Sequence, residues 1–159
     1  MKKPLDKTKR SSQVTGNVGM FYACYKLSMM GWNVMPTARN AKGIDIVAYP
    51  ANANNFIGIQ VKSLSQRTAV PLGKGLDGIM GDCWIVLNRV REEPPNCFIL
   101  YPEEVKKLAN RSGKNGNISY WLEPPDYDVK EFKEKWGRLD EILIHKEKSM
   151  NSSAITQNG

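Results

Sequence analysis

The chain has 159 residues, 41% of them hydrophobic and 25% charged, with a net charge of +7, which suits one soluble domain around a single core and leaves little room for two. No run reaches the eighteen apolar residues of a membrane span. The N-terminus, Met-Lys-Lys-Pro-Leu-Asp-Lys, lacks the apolar segment of a secretory signal, so a cytoplasmic protein is expected. Cys24, Cys83 and Cys97 are odd in number and far apart, so neither a disulfide framework nor a zinc ribbon is implied and three small buried hydrophobes are expected.

Residues 1–12 are basic and polar, with little apolar to anchor them beyond Leu5, and predict a flexible arm. From Gln13 to Met30 the residues Val14, Val18, Phe21, Tyr25 and Met29 recur at intervals of three and four, with Gly31 placed to close the run. That spacing predicts a helix with these five residues as its apolar stripe. Trp32–Pro36, Ile44–Tyr49 and Phe56–Lys62 read as strands. The glycine-rich residues 66–82 read as a connection, and Cys83–Leu87 as a strand buried on both faces. Further strands are expected at Cys97–Leu100 and near Ile118–Leu122, with helices at Pro102–Ala109 and Val129–Trp136 and a disordered tail over 146–159. The order predicts an α/β or α+β domain built on a mixed sheet.

Charge is distributed unevenly along this order. Residues 1–76 hold eleven Lys and Arg against Asp6 and Asp45, a balance of +9, whereas residues 77–159 balance at −2. A basic excess confined to one half fits a polyanion-binding face.

Three polar residues, Asp45, Gln60 and Lys62, interrupt otherwise apolar strands. Alternation places Ile57, Ile59 and Val61 on one face and Gly58, Gln60 and Lys62 on the other. If Ile44, Ile46 and Ala48 share the apolar face, Tyr49 meets Phe56, Val47 meets Gly58 and Asp45 meets Gln60. The three polar residues then gather in one cluster, with space over Gly58 for something to approach. A solvated hairpin face would carry the same pattern.

Gly43-Ile-Asp45, fourteen residues, then Gln60-Val-Lys62-Ser resembles the active-site signature of the PD-(D/E)XK nuclease superfamily, preceded here by a helix and the phrase Gly31-Trp-Asn-Val-Met. The likeness spans roughly residues 13–90 and is similar to Holliday-junction-resolvase-like and homing or restriction endonuclease cores. It implies a restriction-endonuclease-like domain over 13–145: a helix, then a three-strand meander in a mixed sheet flanked by helices. It further implies a metal-dependent DNA endonuclease in which Asp45, Gln60 and the backbone of Val61 hold Mg²⁺, replaceable by Mn²⁺, while Lys62 positions the attacking water. Ile44 stands where the family name has Pro, Gln60 replaces the usual acid, and Asn17 occupies the place of the Glu that many relatives carry on the first helix.

The reading implies duplex or branched DNA as partner, and a homodimer is compatible with it because cutting both strands uses two sites. Arg39, Lys42, Ser63, Ser65, Gln66, Arg67 and Lys74 flank the signature and are candidate DNA contacts. Gly73-Lys-Gly-Leu-Asp-Gly78 matches a dinucleotide fingerprint but lacks the strand–turn–helix context that fingerprint needs. His145, the single histidine, lies in a polar segment and disfavours histidine chemistry. Two other classes fit the same residues: a noncatalytic nucleic-acid-binding module on this fold, and a protein-interaction domain whose basic half is incidental.

Overall fold

The computed structural model describes residues 12–38 and 43–156. Helix α1 (Ser12–Met29) leads into strands β1 (Asn33–Pro36), β2 (Ile46–Tyr49) and β3 (Ile57–Ser63). Strands β4 (Val70–Gly73), β5 (Cys83–Asn88) and β6 (Asn96–Leu100) follow, then helix α2 (Pro102–Leu108), strands β7 (Asn110–Lys114) and β8 (Asn117–Leu122), helix α3 (Pro124–Tyr127) and helix α4 (Arg138–Thr156). The mixed sheet expected from the element order is present as β1-β2-β3-β5-β6, parallel only between β3 and β5, and a second sheet has the order β4-β8-β7.

The main sheet is the middle layer. On one face Ile46, Ala48, Ile57, Ile59, Cys83, Ile85, Leu87 and Ile99 pack against Ala23 and Leu27 of α1 and Leu139 of α4. On the other, Trp84, Val86, Phe98 and Leu100 pack against Val70 and Leu122 of the second sheet, Val105 of α2 and Tyr127. Strand β5 is buried along its whole length because both layers close on it, as its unbroken apolar run requires. Cys24, Cys83 and Cys97 are free and buried, and burial pushes the Cys83 and Cys97 thiols up to about 12.

Helix α1 forms where its periodicity places it, but it turns the opposite face to the core. Val14, Val18, Phe21, Tyr25 and Met29 are exposed, whereas Thr15, Gly19, Ala23, Cys24 and Leu27 are buried. Small residues let the helix axis approach the sheet. A β-carbon on Gly19 would collide with the side chain of Ser63 on β3. Gly19→Ala is therefore expected to destabilise the protein by about 1–2 kcal/mol in a urea titration, the roughly 1–3 kcal/mol of overpacking outweighing the gain of up to about 1 kcal/mol in helix propensity.

Other expectations are corrected. Val129–Trp136 is not a helix: Phe132 and Trp136 are buried, but the backbone turns, and Phe132 accepts a 2.9 Å hydrogen bond from the Ile99 amide. The stretch 66–82 contains the short edge strand β4. The expected disordered tail is helical through Thr156, because Leu139 anchors α4 and its side is tied down by two ion pairs. Arg138 holds Glu104 at 2.6 Å and 3.0 Å, and Lys146 holds Asp82 at 2.7 Å. The expected arm lies outside the described residues except for Ser12, which opens α1. Among the described residues, no helix is long and apolar enough to cross a membrane.

Candidate active site

The β2–β3 hairpin has the register its apolar rows demand. Ile46 pairs with Ile59, Val47 with Gly58 and Ala48 with Ile57, and the Tyr49 and Phe56 rings meet at 5.2 Å. Asp45 lies in a bend just outside the paired residues, and its amide donates to the Ile59 carbonyl at 2.8 Å. The space over Gly58 is filled: a β-carbon there would stand 2.8 Å from the Ile44 side chain, and the 76–82 connection closes over it. Asp82 binds Gly58 through both backbone and side chain.

Asp45 lies just before β2, where the hairpin opens. Its Oδ2 accepts a 2.7 Å hydrogen bond from the Val61 amide, fixing the carboxylate against β3. Oδ1 receives none from the described residues. Asp45 and Val61 line a cleft of about 320 Å³ with Gln13, Gly16, Asn17 and Met20 of α1 and with Thr37 and Ala38. The close approach permitted at Gly19 seats α1 so that Asn17 faces the same space as Asp45. Gln13, one helical turn before Asn17, joins it. The sequence reading missed Gln13, although i,i+4 spacing from Asn17 was the signal.

Gln60 and Lys62 project from the other side of β3, the side of Trp84, and do not line that cleft. Gln60 Oε1 is buried and accepts no hydrogen bond among the described residues, an arrangement that costs about 1–3 kcal/mol unless a donor or cation occupies it. The Lys62 ammonium lies 5.4 Å from the Trp84 ring centre. Burial pulls its pKa down, and the negative charge of Asp45 pushes back, so the two groups feel one another through the edge of the strand. Lys62 is thus a partly desolvated cation within electrostatic reach of the Asp45 carboxylate.

The flanking candidates divide. Ser63 is tucked under α1, with its hydroxyl donating to the Gly16 carbonyl at 3.5 Å. Arg67 is committed to Asp128 at 2.5 Å. Ser65, Gln66 and Lys74 are exposed, and Arg39 and Lys42 lie outside the described residues. Gly73 ends β4, and no helix follows it, so the glycine-rich stretch is a connection and not a dinucleotide fingerprint. His145 is exposed on α4. Among the described residues no group of three His, Cys, Asp or Glu side chains converges. A metal at this site would take its oxygen ligands from one carboxylate, amides, backbone, water and substrate.

No family model matches the chain, and no curated protein matches its sequence. Among solved structures, that of a bacterial homing endonuclease, I-Ssp6803I, is similar in fold. The two superpose with a TM-score of 0.59 over 87% of this chain and 98% of that one, at 17% identity. The likeness shows a shared mixed α/β fold.

Proposed function

We propose that this protein is a metal-dependent DNA endonuclease of the PD-(D/E)XK type, cutting phosphodiester bonds at the Asp45 edge of β3. The observation that carries the reading is a carboxylate, Asp45, held by the Val61 amide at the point of β3 where the neighbouring Gln60 has an unmatched buried oxygen and the neighbouring Lys62 a partly desolvated ammonium. The structural neighbour, itself a homing endonuclease, agrees with it.

The residues suit a hard cation. Mg²⁺ prefers oxygen ligands, usually keeps several waters and is often held by one or two carboxylates plus substrate phosphates. Asp45 and the Val61 carbonyl would hold it from the cleft side, and Gln60, whose buried oxygen is unmatched, would have to reach it across the edge of β3. Bound there, the metal would supply Lewis-acid stabilisation of the phosphodiester and a lowered pKa for a ligand water.

This chain's own residues do the rest. The Val61 amide fixes the Asp45 carboxylate, and α1 closes one side of the cleft with Gln13 and Asn17 as hydrogen-bonding groups toward substrate. Lys62, held by Trp84, orients the attacking water and offsets charge developing on the phosphate.

Purified protein incubated with supercoiled plasmid and Mg²⁺ or Mn²⁺ should nick or cut it, and EDTA should stop the reaction. A second reading, a DNA-binding module that does not cut, is favoured by Asp45 being the single acid lining the cleft among the described residues. Gln60→Glu separates them. A second carboxylate should tighten metal binding roughly ten-fold, read by calorimetric titration with Mn²⁺ as well as by the Mg²⁺ dependence of cutting. Unchanged Mn²⁺ affinity in Gln60→Glu, with no cutting by either protein, would leave the binding module as the better account.

A further inference from the structure

Apart from Leu122 at its root, the hairpin formed by β7 and β8 contributes almost nothing to the core. Residues 111–117 are all exposed, and past Tyr120 toward the tip β8 pairs only with β7. A two-stranded ribbon is marginal on its own. This one is held by its chemistry at the two ends. At the root, β4 pairs with β8 through Val70–Leu122 and Pro71–Trp121, and Asn110 donates to Asp126 at 2.7 Å. At the tip, Asn115 and Gly116 both take positive φ (54° and 82°), the primed turn whose twist suits a hairpin.

The register sorts the ribbon into two faces. Ile118 and Tyr120 are half-buried and lean toward the body, whereas Ser112 pairs with Ser119 and Lys114 with Asn117 on the outward face. These four side chains make no hydrogen bond or ion pair among the described residues. No acid occurs from 105 to 122, while Lys106, Lys107, Arg111 and Lys114 do. The second sheet covers the side of the main sheet from which Lys62 projects, so the ribbon belongs to the layer on the Lys62 side, across the sheet from α1.

We propose that the outward face of the β7–β8 ribbon, carrying Ser112, Lys114, Asn117 and Ser119, enters the major groove of duplex DNA and reads base edges there. The inference rests on the DNA-acting reading above and adds the element that recognises the substrate. The major groove admits a two-stranded ribbon, and its base edges offer the acceptors and donors that these side chains complement: Asn with adenine, Lys with guanine, Ser with either. Lys114 also lies within reach of phosphates along the groove wall, and the absence of carboxylates removes repulsion from the backbone.

The test uses the full chain and a labelled random-sequence duplex, titrated at several salt concentrations, followed by selection of bound sequences. Lys114→Gln should weaken binding roughly ten-fold and make the log K against log[salt] slope shallower by about one unit. Asn117→Ala should leave the slope unchanged and flatten the base preference recovered by selection. Lys135→Gln, an exposed charge elsewhere, should match the wild type in both. All three positions are exposed, so thermal melting should be unaltered. Wild-type slope and base preference in both ribbon variants would overturn this proposal and leave the nuclease reading standing. Failure of the wild type to bind any duplex at the lowest salt would overturn both.

Discussion

Asp45→Asn is expected to lower DNA cutting by about 10³-fold or more while leaving folding intact and DNA affinity within about threefold of the wild type. Asparagine is the informative replacement, because its amide oxygen can still accept the Val61 N–H that Asp45 Oδ2 now accepts at 2.7 Å. What disappears is the negative charge. Under the proposed chemistry that charge is the main attraction for the metal, since no second carboxylate among the described residues lines the cleft. Losing several kcal/mol of transition-state stabilisation corresponds to three or more orders of magnitude in rate. Asp45→Ala would add a structural cost of about 1–3 kcal/mol by orphaning the Val61 amide, and so mixes two effects. Single-turnover cutting with Mn²⁺, alongside binding in EDTA, separates chemistry from affinity. Undiminished, EDTA-sensitive cutting by Asp45→Asn would place the reacting centre elsewhere.

Trp84→Ala is expected to cost about 3–5 kcal/mol of stability, a large share of the roughly 5–15 kcal/mol typical of a domain. Trp84 is 1% exposed, its indole N–H donates to the Met80 carbonyl at 3.0 Å, and in the parallel register it lies beside Gln60 with its ring near the Lys62 ammonium. Its removal opens a large void between the main sheet and the second one and hydrates Lys62. Trp84→Phe retains most of the buried area and a ring beneath Lys62, so its loss should be about 1–2 kcal/mol, near that of a milder core change. Urea unfolding followed by circular dichroism measures both. A cost below about 1 kcal/mol for Trp84→Ala would contradict the packing described for this layer.

Particular elements show how far local pattern reaches. The β2–β3 hairpin was legible to the residue, because alternation leaves one register that buries Ile46, Ala48, Ile57 and Ile59 together, and a slip by one would reverse every side chain. The ribbon tip was signalled as well, by the Asn115-Gly116 pair, but β7 carries no apolar residue and gives periodicity nothing to register. In α4 the signal was Leu139, Ile142 and Leu143 at helical spacing. It was obscured by the polar stretch that follows, whose serines donate back to carbonyls four residues earlier at 3.0 Å. Val129, Phe132 and Trp136 gave the opposite error, because their spacing serves burial along a turning chain.

The residue pattern by itself determined that α1 is a helix, how β2 pairs with β3 and that β5 is enclosed, since all of these follow from hydrophobic period and near-neighbour geometry. Which face of α1 turns inward was decided only by the tertiary structure. Its larger apolar side chains favour one face on hydrophobicity alone, yet the sheet accepts the face with Gly19 and Ala23, which allows the closer approach. The same contact carries Gln13 and Asn17 to Asp45 across more than twenty residues of chain, while burial against Trp84 leaves Gln60 Oε1 unmatched and Lys62 desolvated. Those properties depend on where distant segments come to rest, and no local spacing encodes them.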